Sequence, residues 1–178
     1  ALRGVELLLT EDGEEAQAIA EELDAANRER QAVEQEILQA AEKQIEEIDV
    51  KRAHVLVLHG EGWHPGVIGI VASRIVERYY RPTVIIAEED GIGKGSCRSI
   101  RGFHMFEALS ACKEHLLGFG GHAQAAGLSL RSADIASFRE ALEAYAAKVL
   151  TEEDFVPILD IELELAPEKI TEQLMTEI

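Results

Sequence analysis

Apolar residues recur along residues 14–49 at Ala16, Ile19, Leu23, Ala26, Val33, Ile37, Ala41, Ile45 and Ile48, in steps of three, four or seven. That spacing lines one face of an α-helix and predicts a single long one. No proline interrupts the stretch, and it holds no glycine after Gly13. Thr10 or Asp12 can cap the start, and Glu14 and Glu15 suit the positive end of the helix dipole. At about 1.5 Å per residue the helix runs roughly 50 Å, which is long for one small domain. A dimeric coiled coil would account for the length. The stripe contains alanines and breaks at Arg30, so a helix joining two domains fits better.

Beyond residue 53 the pattern changes to short apolar runs punctuated by glycine. Residues 55–58 read as a strand, followed by the glycine-rich loop Gly60-Glu61-Gly62-Trp63-His64 and by Pro65 at a helix entrance. Residues 67–79 read as a mostly buried helix, with Gly66 and Gly69 on one face allowing close approach to a sheet. Residues 83–87 are β-branched and apolar, Asp90-Gly91 is a hairpin signal, and a returning strand covers 93–100. A helix is expected over 106–117, then the loop Gly118-Phe119-Gly120-Gly121-His122 and a strand near 127–130. Another helix follows, capped by Ser132 or Asp134 and running to about 150. Residues 158–165 alternate, with Ile161, Leu163 and Leu165 on one side and Asp160, Glu162 and Glu164 on the other. A final amphipathic helix begins after Pro167. The expected fold is α/β: a mixed β-sheet flanked by helices, preceded by the long connecting helix. Residues 1–53 form the connector, 54–150 the sheet domain, and 151–178 the start of a following unit.

The chain has 178 residues, 47% of them hydrophobic, enough for a real core. Its net charge of −17 argues against a basic protein that coats nucleic acid. The charge is divided unevenly: −9 over residues 1–53, +1 over 54–131 and −9 over 132–178. All six histidines and 12 of the 14 glycines fall in the near-neutral middle, so anion-handling chemistry is sought there. The beginning, Ala1-Leu2-Arg3-Gly4, reads as the cut end of a longer protein. No apolar run is long enough for a membrane span. Cys97 and Cys112 make neither a disulfide framework nor a zinc site, and a reducing cytoplasm with both thiols free is the expectation.

Three stretches could carry chemistry. In Gly93-Lys94-Gly95-Ser96-Cys97-Arg98-Ser99 the glycines permit close backbone approach, the serines donate to oxyanions, and the arginine offers a planar fork for phosphate or carboxylate. On a strand Ser96 and Arg98 share a face. A hairpin arm with a surface arginine is the plain alternative, and the spacing is not that of a Walker loop. In Gly118-Phe119-Gly120-Gly121-His122, consecutive glycines can form an anion nest, and His122 could donate to a phosphate oxygen or shuttle a proton. A helix end with an exposed histidine would look the same. Trp63-His64-Pro65 could stack a base, although a tryptophan beside a proline is more often a packing anchor, and His64 could cap the helix. His54, His59, His64, His104 and His122 are scattered without a carboxylate-rich cluster, so no metal site is expected. Neither a nucleophile elbow nor a cysteine–histidine motif is present.

Taken together, WHPGVIGIVASRIVERYYRPTVII (63–86), GKGSCRSIRGFHMFEAL (93–109) and GFGGHAQAAGLSL (118–130) resemble the RecJ single-strand-specific exonucleases of the Asp-His-His phosphoesterase superfamily. NRERQAVEQEI (27–37) is similar to the helix joining that family's two core domains. The resemblance implies a substrate-positioning part of a metal-dependent 5′–3′ exonuclease on single-stranded DNA, acting in repair and recombination. It also implies an Asp-His-His domain holding manganese or magnesium; no Asp-His-His run occurs in these 178 residues, so the fragment alone is expected to be inactive and metal-free. The implied chemistry is metal-assisted attack of water on a phosphodiester. Ser96 and Arg98, with Ser99 beside them, fall on the family's phosphate- and DNA-binding positions. Gly120, Gly121 and His122 fall on its glycine-glycine-histidine motif, with His122 in the catalytic role. Residues 156–178 fall where an OB-fold's lead-in would lie. The expected partners are single-stranded DNA, the Asp-His-His domain and other repair proteins. Two other functions remain open on the sequence: a non-catalytic nucleic-acid or protein-binding module, and a phosphodiesterase for short oligonucleotides or cyclic dinucleotides.

Overall fold

The computed structural model describes residues 2–161 and 163–177. A short helix, α1 (Leu2–Leu9), precedes the long α2 (Gly13–Glu46). Asp12 is the cap of α2: its carboxylate accepts from the Glu14 and Glu15 N–H groups at 2.8 and 3.3 Å, while Thr10 donates to the Glu15 carboxylate. The sequence pattern did not distinguish α1. Arg3 ties it to α2 through Glu22, and that pairing holds the Glu22 carboxyl below the usual carboxylate range.

A five-stranded sheet follows: β1 (Leu56–Glu61), β2 (Thr83–Glu89), β3 (Ile92–Arg98), β4 (Gly118–Gly121) and β5 (Ala125–Arg131). Its order is β1-β2-β3-β5-β4. Only β1 and β2 run parallel, joined by α3 (Ile68–Tyr79) as the crossover helix. The β2–β3 hairpin turns on Asp90 and Gly91, whose φ angles of 51° and 78° are the positive pair that a type I′ turn requires. The remaining helices are α4 (Met105–Ala111), α5 (Ile135–Val149) and α6 (Glu172–Glu177). Several segments depart from the sequence reading. The stretch 118–121 is not a loop but an edge strand, because Phe119 turns inward between glycines and packs near Phe106. Gly66 lies in the turn before α3 rather than on it. The helix expected over 106–117 ends at Ala111, with a 3-10 turn at Lys113–His115.

Strand alternation splits the sheet into two chemically different faces. One carries Val57, Val84, Ile86, Cys97, Ala126, Leu128 and Leu130, all buried under α4 and α5 with Phe138 and Leu142. The other carries Leu56, Leu58, Ile85 and Ala87 beneath α3, backed by Ile37, Ala41 and Ile45 of α2. The C-terminal half of α2 is therefore packed, while residues 24–29 beyond Leu23 are exposed. Glu34 is the buried exception, at 4% exposure; it pairs with Arg30 at 2.6 Å and with Arg74 of α3. A carboxylate removed from water needs such partners.

The alternation at 158–165 does not become a strand at any described residue; Glu162 lies outside the described residues. Ile158 and Leu159, of opposite parity, are both exposed, so nothing selects one face. A strand needs a paired ladder, and this segment meets the body through Arg101–Asp160 instead. Among the described residues no helix is long and apolar enough to cross a membrane.

Candidate nucleic-acid interface

On the second face α3 lies over β2 and the near side of β3, with α2 against β1. Across β3, β5 and β4 that face is polar and rich in glycine: Lys94, Ser96 and Arg98, then Ser129, Gly127 and Ala125, then Gly118 and Gly120. Ser96 pairs with Gly127, and Gly127 pairs with Gly120, so these three form one row across three strands. Arg98 pairs with Ala125, whose carbonyl accepts the His122 N–H at 2.8 Å. At about 4.8 Å between strands, Ser96 and Gly120 stand roughly 10 Å apart on one open surface. The two stretches singled out by their chemistry thus meet, across β5.

Arg98 is held in place from below. Its Nε donates to Ser73 Oγ of α3 at 3.2 Å, and its Nη1 donates to Ser96 Oγ at 3.2 Å and to the Cys97 carbonyl at 2.8 Å. No carboxylate pairs with it among the described residues. A half-buried guanidinium, oriented by neutral oxygens and left without an anion, suits binding one from outside. Ser73 was not legible as a site residue. Its signal lay in position: it follows Gly69 by four residues, on the same face of α3.

Gly69 makes this packing possible. A Cβ there would come within 3.0 Å of Ser96 Oγ and 3.1 Å of Arg98 Nη2. Gly69→Ala is expected to leave the fold intact, because the guanidinium end can shift. It should weaken phosphate binding severalfold, less than losing a hydrogen bond to a charged group, which contributes about 1.5–3 kcal/mol. Thermal melting together with titration by a 5′-phosphorylated oligonucleotide checks both halves of that expectation.

The other residues divide clearly. Gly120 faces open space, whereas Gly121 has a φ of 144° and a Cβ there would lie 2.5 Å from both the Ala125 oxygen and the Ala126 Cα. The glycine pair therefore does two different jobs, one of access and one of turning the chain. His122 is exposed beyond that turn. Ser99 does not join the open face: it is buried, and its hydroxyl donates to the Phe103 carbonyl at 2.7 Å. Cys97 points into the core between Val84 and Ala126, and burial pushes its thiol up to about 12. Burial likewise raises Cys112, to about 11, so neither thiol is a ready nucleophile. His64 does not cap α3; its Nδ1 accepts from the Gly66 N–H at 3.0 Å. His104 caps α4 by accepting from the Glu107 N–H. Among the described residues no three histidine, cysteine, aspartate or glutamate side chains converge in a way that could hold a metal ion.

The fold is a mixed sheet with one helix-covered and one glycine-lined half, and on the latter Arg98 has no carboxylate partner among the described residues. Comparison with known proteins makes this specific: residues 51–148 match the DHHA1 domain model, and the chain belongs to that family. Over 175 residues it is 43% identical to the single-stranded-DNA-specific exonuclease RecJ of Bacillus subtilis, spanning 97% of this chain and 22% of that protein. The RecJ of Escherichia coli is 44% identical over 146 residues, 77% of this chain and 25% of that one. The chain thus spans about a quarter or less of the length of these relatives. Among solved structures, RecJ of Thermus thermophilus in complex with Mg2+ is 39% identical, with a TM-score of 0.72 over 82% of this chain and 22% of that one. An exonuclease RecJ bound to manganese matches at 39% identity and a TM-score of 0.74, over 85% of this chain and 37% of that one. The chain is homologous to the DHHA1 region of the RecJ exonucleases.

Proposed function

We propose that this chain is the substrate-positioning part of a RecJ-like 5′–3′ exonuclease that degrades single-stranded DNA in repair and recombination in the cytoplasm. The observation that carries the reading is Arg98, oriented by Ser73, Ser96 and the Cys97 carbonyl on a face whose far row is Gly127 and Gly120. Arg98 and Ser96 hold the 5′-terminal phosphate. The open glycine row lets the backbone of the strand lie close to the sheet, and His122, at the end of the Arg98–Ala125 row, meets the scissile phosphate. Residues 54–150 act as the binding unit, 1–53 as its connector to an Asp-His-His domain, and 151–178 as the lead-in to a further unit. The matching RecJ structures hold Mg2+ or manganese, and in this reading the metal of the full enzyme belongs to the Asp-His-His domain. What this chain contributes is binding and orientation: fixing the strand end turns an encounter into a positioned reaction.

The chain by itself is expected to leave end-labelled single-stranded DNA intact when incubated with Mn2+. Metal-dependent degradation that co-purifies with the chain and disappears when its histidines are substituted would overturn this. It should also bind DNA weakly and with little salt dependence. At about 0.7 log units per phosphate contact on single strands, two or three contacts give a slope of roughly 1.4 to 2, and the net charge of −17 opposes approach. A titration across salt concentrations that returns nanomolar affinity and a slope of many units contradicts it.

A further inference from the structure

Two residues before Ser96 on the same face of β3, Lys94 borders a cleft of about 490 Å3. Its walls include Trp63 and Pro65 from the β1–α3 loop, Ile92 of β3, and Glu88, Glu89 and Asp90 at the end of β2 and the hairpin turn. The volume lies in the range of small-molecule pockets and suits one nucleoside. The cleft opens at the carboxyl ends of the two parallel strands, where open α/β sheets take ligands. Its walls are fixed in advance. The hairpin turn is closed by its two positive φ angles, and the indole lies so close over Gly60 that any Cβ there would collide with the ring.

We propose that this cleft receives the nucleobase adjacent to the phosphate held by Ser96 and Arg98, and that it favours bases carrying an exocyclic amine. The proposal rests on the phosphate assignment above. From Lys94 to Ser96 is one side-chain repeat along the strand, about 6.6 Å, so a strand anchored at Arg98 passes the mouth of the cleft. Trp63 is half-buried and offers a flat surface for stacking. Ionised carboxylates only accept hydrogen bonds. Glu89 and Asp90 at the rim therefore repel a phosphate and reward an amino group, as on adenine or cytosine, over thymine, which shows only carbonyl oxygens at the corresponding positions. Lys94 forms no ion pair among the described residues and stands between the two sites, where the linking phosphate passes.

Trp63 is the sole tryptophan, so its emission reports on the cleft directly. The chain is titrated with 5′-phosphorylated tetranucleotides of deoxyadenosine and of thymidine, with dAMP, and with the 5′-hydroxyl tetranucleotides. The expected result is stronger quenching by the deoxyadenosine tetranucleotide and tighter binding of it than of its thymidine counterpart, by about three- to tenfold for contacts at an exposed rim. The double variant Glu89→Gln/Asp90→Asn should shrink that ratio without unfolding the chain, since asparagine tolerates the positive φ at 90. Trp63→Ala, followed by anisotropy of labelled oligonucleotides, should weaken both by roughly tenfold. Binding that leaves Trp63 emission unchanged and does not discriminate between the two sequences overturns the base subsite, even where Arg98→Ala still removes the preference for a 5′-phosphate. If Arg98→Ala leaves that preference intact, the phosphate assignment fails, whatever Trp63 reports. Quenching by dAMP as tight as by the tetranucleotide overturns placement on a bound strand, and no binding at millimolar ligand overturns the subsite outright.

Discussion

Arg98→Ala in the intact enzyme is expected to weaken use of a 5′-phosphorylated end about tenfold to a hundredfold. A hydrogen bond to a charged group contributes about 1.5–3 kcal/mol, and Nη2 is the guanidinium nitrogen that the orienting bonds leave available to make it. On a 5′-hydroxyl end the same substitution should cost much less. Arg98→Lys should not restore the loss: the orienting bonds to Ser73, Ser96 and the Cys97 carbonyl use both Nε and Nη1, and an ammonium cannot span them. His122→Ala is expected to lower turnover instead, because the ring lies beyond the strand on an exposed turn and is not part of the arginine cluster. Kinetics on substrates with and without the 5′-phosphate, on variants shown to be folded by circular dichroism, separate the two roles. Equal loss on both ends means that Arg98 does not read the end group. No change from either variant reduces both stretches to structural turns.

The adjacent glycines should behave as opposites. Gly121→Ala places a methyl group 2.5 Å from the Ala125 oxygen and the Ala126 Cα while demanding a φ of 144° from a residue with a side chain. Strain of this kind costs about 1–3 kcal/mol before the collision is counted, and relieving the collision means separating β4 from β5. The variant should melt several degrees lower and lose nearly all activity, because His122 is carried on the displaced turn. Gly120→Ala meets nothing within 4 Å and should melt like the parent. Its methyl group stands on the open face, so activity should fall if a strand lies against that surface. Differential scanning calorimetry beside exonuclease assays decides the matter: equal melting of the two variants refutes the turn argument, and full activity of Gly120→Ala moves the strand elsewhere.

The elements with strong periodicity were the most legible. The 3.6-residue stripe placed the long helix to within a few residues, and Asp90-Gly91 marked a turn whose backbone angles match. The helix α1 left no such mark, since eight residues give only two turns of pattern. Glycine misled in both directions. It hid β4, where Phe119 alone supplies the inward contact, and it made Gly66 look like a partner to Gly69 when only the latter reaches the arginine. Period-2 alternation at 158–165 was present in the sequence but could not specify a strand without a neighbour to pair with. Of the site, Ser96 and Arg98 were readable because strand parity assigns them to one face, whereas Gly120 was picked out by its glycine-rich run, read as a loop. Ser99 fails by the same rule, and Ser73 could be found only after the crossover helix was laid over β3.

The long helix also sets a phase relation. Its C-terminal half is clasped to α3 by Glu34–Arg74 and Glu42–Arg78, and α3 carries the Ser73 that steadies Arg98. Each residue inserted into the exposed span before that clasp turns whatever lies on the other side by about 100° and advances it by about 1.5 Å. One added residue would turn the arginine surface away from its present bearing relative to α1, whereas seven would return it to nearly the same bearing about 10 Å farther off. The helix is a screw thread whose pitch indexes Arg98 to whatever is mounted at the opposite end.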